Sequence, residues 1–211
     1  MDISRQATDT VPEKGPRARM QRLMLDTAIR LMQAGTVPSV SDVAEAAEVS
    51  RATAYRYFPS QAALVQAVVD EALGPILDWS STATDARVRT LDLFDLALPR
   101  IDEFEATFRA ALKLSLDQWA QRQAGTSGSE PQFKRGHRVD LLRDAIAPLA
   151  DQQPRAACER LAKGLSLLFG IESLLILKDI WGDDLNAAQD VVRWAALALL
   201  SATMREEGMV S

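Results

Sequence analysis

The 211-residue chain contains one cysteine, Cys158, and one histidine, His137. A lone thiol can build neither a disulfide framework nor a C-x-x-C zinc site, so a reducing cytoplasm is the expected setting. One imidazole and one thiol far apart in sequence also leave no raw material for a His/Cys metal cluster or a nucleophilic triad. With no Gly-rich phosphate loop and no paired catalytic groups either, neither a metal nor a cofactor nor an enzymatic activity is expected. Long apolar runs are missing too. The longest, Leu165 to Leu177, is interrupted by Glu172 and followed by Lys178 and Asp179, which makes it a buried helix rather than a membrane span. Met1 to Pro16 is polar, lacks the apolar centre of a signal peptide, and reads as a disordered tail.

Hydrophobic residues make up 47% and charged residues 25%, the composition of a chain able to bury a real core. The net charge of -5 is unevenly spread. Residues 1–66 hold 8 Lys+Arg against 7 Asp+Glu, and the remainder 16 against 22, so the acidic excess lies in the last two thirds.

Nearly every segment has helical period, and no sustained apolar/polar alternation marks a strand. The pattern predicts an all-α chain of about nine helices. The first runs from Arg17 to Ala34, with Met24, Ala28, Leu31 and Met32 on one face and Gly35 as its stop. Ser39 caps a short second helix, with Asp42 placed to reach back to the cap. A turn at Glu48–Val49 leads to a third helix capped by Ser50 and ending near Pro59. Ser60 caps a fourth that runs toward Gly74–Pro75. Longer helices follow at about 85–100, 103–123, 133–150, 155–181 and 185–206, with Pro99 expected to kink or divide its region and Ala124–Pro131 the flexible loop. The organisation read from this is an N-terminal unit over 17–74 and a C-terminal unit over 75–211.

The decisive segment is Ser39 to Leu64, SVSDVAEAAEVSRATAYRYFPSQAAL. Two short helices joined by a tight turn form a helix-turn-helix, whose second helix enters the DNA major groove by its N-terminus. Ala44 and Ala47 are small enough for a close crossing, Val49 plugs the turn, and Ala54, Tyr55 and Phe58 are expected to anchor the third helix from behind. Arg51, Ala52, Arg56 and Tyr57 then face outward, with Ser50 at the helix start. Arg reads a guanine edge in bidentate fashion, and hydroxyls bind phosphate oxygens. The bland reading is a helical hairpin that never meets DNA.

The pattern V-A-x-A-A-x-V-S-R-A-T-x-Y-R-Y-F-P-S-x-x-x-L over Val43 to Leu64, preceded by an Arg-bearing first helix ending at Gly35, resembles the DNA-binding domain of the TetR family; the likeness covers about Arg17 to Val69. The resemblance implies base-edge contacts for Arg51, Ala52 and Tyr55, and for Ser41 as in some members. It implies phosphate or sugar contacts for Ser39, Thr53, Arg56 and Tyr57, with Arg17 and Arg19 as a basic lead-in. Three positions depart from the pattern. Glu48 stands where Gly is usual in the turn, Gln61 where Lys is frequent at the start of the fourth helix, and Met32 where Phe is common.

The resemblance further implies a palindromic operator, a homodimer built by the last two helices, and a C-terminal pocket for a small-molecule effector whose binding releases a repressor from DNA. The residues fit this. Leu161 to Ile180 and Val191 to Leu200 are apolar nearly all round, and Ala187, Val191, Ala195, Ala198 and Ala202 form a small-residue stripe. A central buried helix pair in a monomer is the other reading of that pattern. Candidate pocket residues are Phe94, Phe104, Phe108 and Leu112, together with Trp119, Leu141 and Phe169. Glu172 shares their apolar face and either orients a cationic or hydrogen-bonding ligand, pairs with a nearby arginine, or meets solvent at the dimer edge. His137 reads as part of a solvated basic face with Lys134, Arg135 and Arg138. The alternatives are a DNA-binding dimer without an effector and an all-helical enzyme.

Overall fold

The computed structural model describes residues 15–126, 133 and 136–205. The tail expected over 1–16 thus falls almost wholly outside the described residues, as do most of the Ala124–Pro131 loop, Lys134 and Arg135. Among the described residues the fold is all-α, with ten α-helices.

The N-terminal part comprises α1 (Pro16–Gln33), α2 (Val40–Ala46), α3 (Arg51–Tyr57) and α4 (Gln61–Leu77). The seven-residue α2 and α3 are far too short to stand alone in water and depend on caps and packing. Ser39 Oγ accepts the Asp42 backbone N–H at 3.1 Å while the Asp42 carboxylate accepts the Ser39 N–H at 2.8 Å, a reciprocal cap on α2. Ser50 and Ser60 cap α3 and α4 through the N–H groups of Thr53 and Ala63, each at 3.1 Å. Each such cap stabilises by about 1 kcal/mol. Met24, Ala28, Met32, Val40, Val43, Ala44, Ala54 and Leu64 form the buried centre shared by these four helices.

The remainder comprises α5 (Ala86–Glu103), α6 (Glu105–Gln123), α7 (His137–Ala145), a 3-10 turn (Ala147–Leu149), α8 (Arg155–Leu168), α9 (Ile171–Leu174) continued by a π-helical stretch (Leu175–Ile180), and α10 (Leu185–Arg205). The two parts share one core: α1 packs on α6, and α4 packs on both α5 and α6. At the other end α10 lies against α5 and α8. Gly164 makes the α8–α10 approach close, since a Cβ there would sit 3.3 Å from Leu199 Cδ1.

Several boundaries differ from those the sequence suggests. Helix α4 continues through Gly74 and Pro75 to Leu77, forgoing only the one N–H that proline lacks. Helix α5 likewise passes Pro99 and reaches Glu103. The helix expected over 133–150 is confined to α7, with Phe133 and Gly136 outside it and Pro148 in the 3-10 turn.

The helix expected over 155–181 is broken. Phe169 turns extended (ψ 99°) and Gly170 takes φ 139°, a conformation an L side chain rarely adopts. The carbonyls left open at the end of α8 are met by side chains: the Ser173 hydroxyl lies 2.9 Å from both the Leu168 and Gly170 oxygens, and Arg138 Nη1 donates to Ser166 O at 3.1 Å.

Past the break, ion pairs pin the π-helical stretch to α5 and α6. Arg109 grips Asp179 with two hydrogen bonds of 2.8 and 2.6 Å and also bonds Glu105, while Lys178 pairs with Asp102 at 2.6 Å and with Glu105. Burial works against ionisation of Glu105, but the hydrogen bonds from Lys178 and Arg109 outweigh it and hold its carboxyl below the usual range. The Arg109 hydrogen bonds lower Asp179 in the same way.

Candidate nucleic-acid interface

Helices α2 and α3 cross through Ala44 and Ala54, both fully buried, with Val49 filling the turn between them. The turn is closed by the Val49 N–H on the Ala44 carbonyl at 2.9 Å. It requires positive φ at Glu48 (56°), and among the described residues this is the one non-glycine position with such a backbone. The residue that replaces the usual Gly therefore carries the strain of that site, about 1–2 kcal/mol for an L residue.

On α3, one helical turn separates the buried Ala54 from the buried Phe58, and that face holds the helix to the body. Arg51 and Tyr55, one turn apart, are both exposed, Tyr55 by 46%. Tyr55 is thus not one of the anchors behind the helix. That place belongs in part to Tyr57, which is half-buried against the core, because successive residues turn by about 100° around a helix. The outward edge of the motif carries Ser50, Arg51, Ala52, Tyr55 and Arg56, with Thr53 half-buried. Ser41 of α2 reaches across, its Oγ 3.5 Å from the Tyr55 phenol oxygen.

A second cationic element joins this edge. A cleft between the start of α1 and α3 is lined by Pro16, Arg17, Met20, Thr53, Arg56 and Tyr57. The Arg17 and Arg56 guanidinium carbons each lie 6.0 Å from the centre of the Tyr57 ring, so two cations flank one aromatic plate. Such a pair suits a phosphate oxygen beside the groove.

Not every hydroxyl or amide on this face is at liberty to meet DNA. Ser39 Oγ is engaged as the α2 cap, and its backbone N–H lowers the Asp42 carboxyl, with the Ser39 side chain and Arg51 adding to the effect. Gln61 donates its side-chain amide to the carbonyls of Val37 and Pro38, both at 3.2 Å, and ties the loop before α2 to the start of α4.

Behind the interface, α4 forms one wall of a cavity of about 90 Å³. Its lining is Val69 and Leu73 from α4, Ile101 from α5, and Phe108, Ala111 and Leu112 from α6. Phe133, Gly136, His137, Arg138 and Leu141 close a second side, and Phe169, Gly170 and Ile171 at the helix break close the third. The structure brings four of the sequence-based pocket candidates here: Phe108, Leu112, Leu141 and Phe169. Phe94 is fully buried and packs edge-on against Phe169 at 5.2 Å, so it supports the wall from behind. Phe104 stacks under the Arg100 guanidinium, 4.1 Å away, and Trp119 is exposed on the outer face of α6. Glu172 also stands outside the lining, bonded through both oxygens to Arg138 Nη2 at 2.9 Å.

Residues 24–68 match the model of the bacterial regulatory proteins of the tetR family. Over that stretch the chain is similar to the TetR family. It is 32% identical over 91 residues to the HTH-type transcriptional repressor LfrR of Mycolicibacterium smegmatis, a match covering 43% of this chain and 46% of that one. The match therefore spans less than half of the relative's length. The fold is similar to the crystal structure of a TetR transcriptional regulator from Rhodococcus sp. RHA1, with TM-score 0.50 and 20% identity over 86% of this chain and 96% of that one.

The chain also presents apolar surface on its last helices. Leu167 of α8, Trp181 after the π-helical stretch and Trp194 of α10 are exposed by 77%, 75% and 72%. Along α10, Ala187, Val191, Ala198 and Ala202 are exposed and Ala195 half-buried. Among the described residues no helix is long and apolar enough to cross a membrane.

Sequence reasoning missed the cavity residues Val69 and Leu73 of α4. It also missed the break, although Phe169–Gly170 inside an apolar helical run was a visible signal.

Proposed function

We propose that the protein is a TetR-family regulator, a ligand-responsive repressor that binds a palindromic operator as a homodimer and is released by a small-molecule effector. The domain division follows from that reading, with a DNA-binding unit over 17–74 and an effector-binding and dimerisation unit over 75–211. The observation that carries it is the exposed edge of Arg51, Tyr55 and Arg56, joined by Arg17 across the Tyr57 ring. Two such edges on one assembly read two half-sites, which is how so short a motif gains affinity and specificity.

Dimerisation is supported by the exposed Leu167, Trp181 and Trp194 and by the small-residue stripe on α10, surface that a soluble monomer rarely leaves bare. Effector response is supported by the position of the cavity: an occupant would touch Val69 and Leu73 on the same helix that Gln61 ties to the helix-turn-helix. Occupancy then shifts the population between two separations of the recognition helices. The setting for this role is the cytoplasm.

The small size of the cavity favours one second reading, a DNA-binding dimer with no effector. Selecting bound fragments from genomic DNA with the purified protein, followed by sequencing, tests the main reading. Recovery of an inverted repeat supports it, and recovery of no enriched sequence overturns it.

A further inference from the structure

We infer that the cavity takes a slender apolar molecule bearing one carboxylate, and that Glu172 occupies the place of that carboxylate on Arg138 when the site is empty. This rests on the sensor reading above and names the chemistry of its ligand. Among the described residues the lining is apolar apart from two, His137 and Arg138. His137 already faces acid and amide from α4, with Nε2 3.2 Å from Asp70 Oδ1 and 3.5 Å from Gln66 Nε2. Arg138 is the permanent charge on the wall.

Its partner is arranged for exchange. Both Glu172 oxygens bond the same nitrogen, Nη2, instead of lying fork to fork across two nitrogens as the strongest guanidinium–carboxylate pairs do. Gly170 leaves the space for this contact. A Cβ there would come within 2.7 Å of Glu172 Oε2 and 3.0 Å of Arg138 Nη2. The Glu172 side chain is 35% exposed and does not line the cavity, whereas Arg138 is 27% exposed and does. An incoming carboxylate therefore reaches the half-buried Arg138 from the cavity side, while Glu172 withdraws on the side away from the lining.

A cationic ligand meets the opposite situation. It approaches Arg138 first, and pairing with Glu172 would strand that guanidinium beside apolar side chains. Size sets the tail: at about 90 Å³, less than the ~150 Å³ that accommodates benzene in an engineered core, the cavity takes the inner carbons of a linear chain rather than a fused ring system, with the carboxylate at its edge on Arg138. Because Glu172 lies in the first turn of α9, its release also frees the start of that helix from α7.

The test compares hexanoate, hexan-1-ol and hexylammonium binding to the full-length protein by calorimetry at neutral pH. Hexanoate is expected to bind at least about tenfold more tightly than the alcohol, with the ammonium weakest. Glu172→Gln removes the competing charge and should tighten hexanoate by about threefold or more while leaving hexan-1-ol unchanged. In the double variant R138Q/E172Q, which keeps two neutral amides of similar shape, the advantage of hexanoate over the alcohol should vanish. Equal binding of all three probes, tightest binding of the ammonium, or an unchanged hexanoate preference in the double variant overturns the inference and leaves the sensor reading standing. Binding of none of the three overturns the inference as well, whereas the sensor reading stands or falls on the operator's response to effectors.

Discussion

The Ser41 hydroxyl of α2 and the Tyr55 phenol of α3 meet at 3.5 Å on the exposed edge of the helix-turn-helix. A contact between the two helices at this point fixes where the phenol points before any DNA arrives. Tyr55→Phe removes that hydroxyl while keeping the ring, and its operator affinity should fall by about tenfold, the worth of one hydrogen bond. Arg51→Ala should cost about tenfold or more per half-site, as a lost bidentate base contact does. Gel shifts on the selected operator measure both. Unchanged affinity in both variants would remove α3 from the reading of bases.

Glu48 holds φ 56° where glycine is the relaxed choice. Glu48→Gly should raise unfolding stability by about 1 kcal/mol, and Glu48→Ala should not, because alanine keeps the Cβ that creates the strain. Urea denaturation of the three proteins decides the matter. An equal gain from alanine would show that the benefit comes from charge rather than backbone.

Gln61 spends its amide on Val37 and Pro38. Gln61→Ala should therefore destabilise the protein by about 1–2 kcal/mol while leaving the preference among operator sequences intact. Loss of DNA affinity with no loss of stability would instead place Gln61 at the phosphates.

The dimer proposal turns on the α10 surface. Trp194 is exposed by 72%, so Trp194→Glu costs the single chain little. Sedimentation of the variant should show a monomer with unchanged helical content. A dimer as tight as that of the parent chain would move the interface elsewhere.

Acid should weaken the hold on the π-helical stretch. Glu105 and Asp179 have carboxyls lowered in the folded state, so between their folded and unfolded pKa values the unfolded chain binds more protons. Their stabilisation is complete above the unfolded carboxylate pKa of about 4 and is lost as pH falls through the folded values. Urea midpoints recorded from pH 7 down to pH 3 should drop at the acidic end, and Glu105→Gln with Asp179→Asn should flatten that drop. An equally steep fall in the double variant would trace acid sensitivity to other carboxylates.

The helix-turn-helix was legible because its determinants are local. Caps lie three residues from the N–H groups they serve, and Ala44, Val49 and Phe58 announce a close crossing by size and spacing. The orientation of Tyr55 and Tyr57 was not, since two tyrosines two residues apart look alike until the body against which α3 leans is in place. The cavity was half legible. Phe108, Leu112, Leu141 and Phe169 could be named from apolar spacing, but Phe94, Phe104 and Trp119 look the same in sequence and fall behind the wall, under Arg100 and on the outside. A nearby arginine was one of several readings for Glu172, and that it is Arg138, 34 residues away, depended on the break at Gly170.

Because α1 and α4 bury themselves against α5 and α6, there is no seam along which the first four helices could be cut away. A fragment ending near residue 74 would carry the whole reading head, yet bare Val65, Val69 and Ala72 to water and lose the surface on which α1 rests. It would aggregate or melt rather than serve as a miniature DNA binder. Heat should accordingly unravel head and body in one cooperative step.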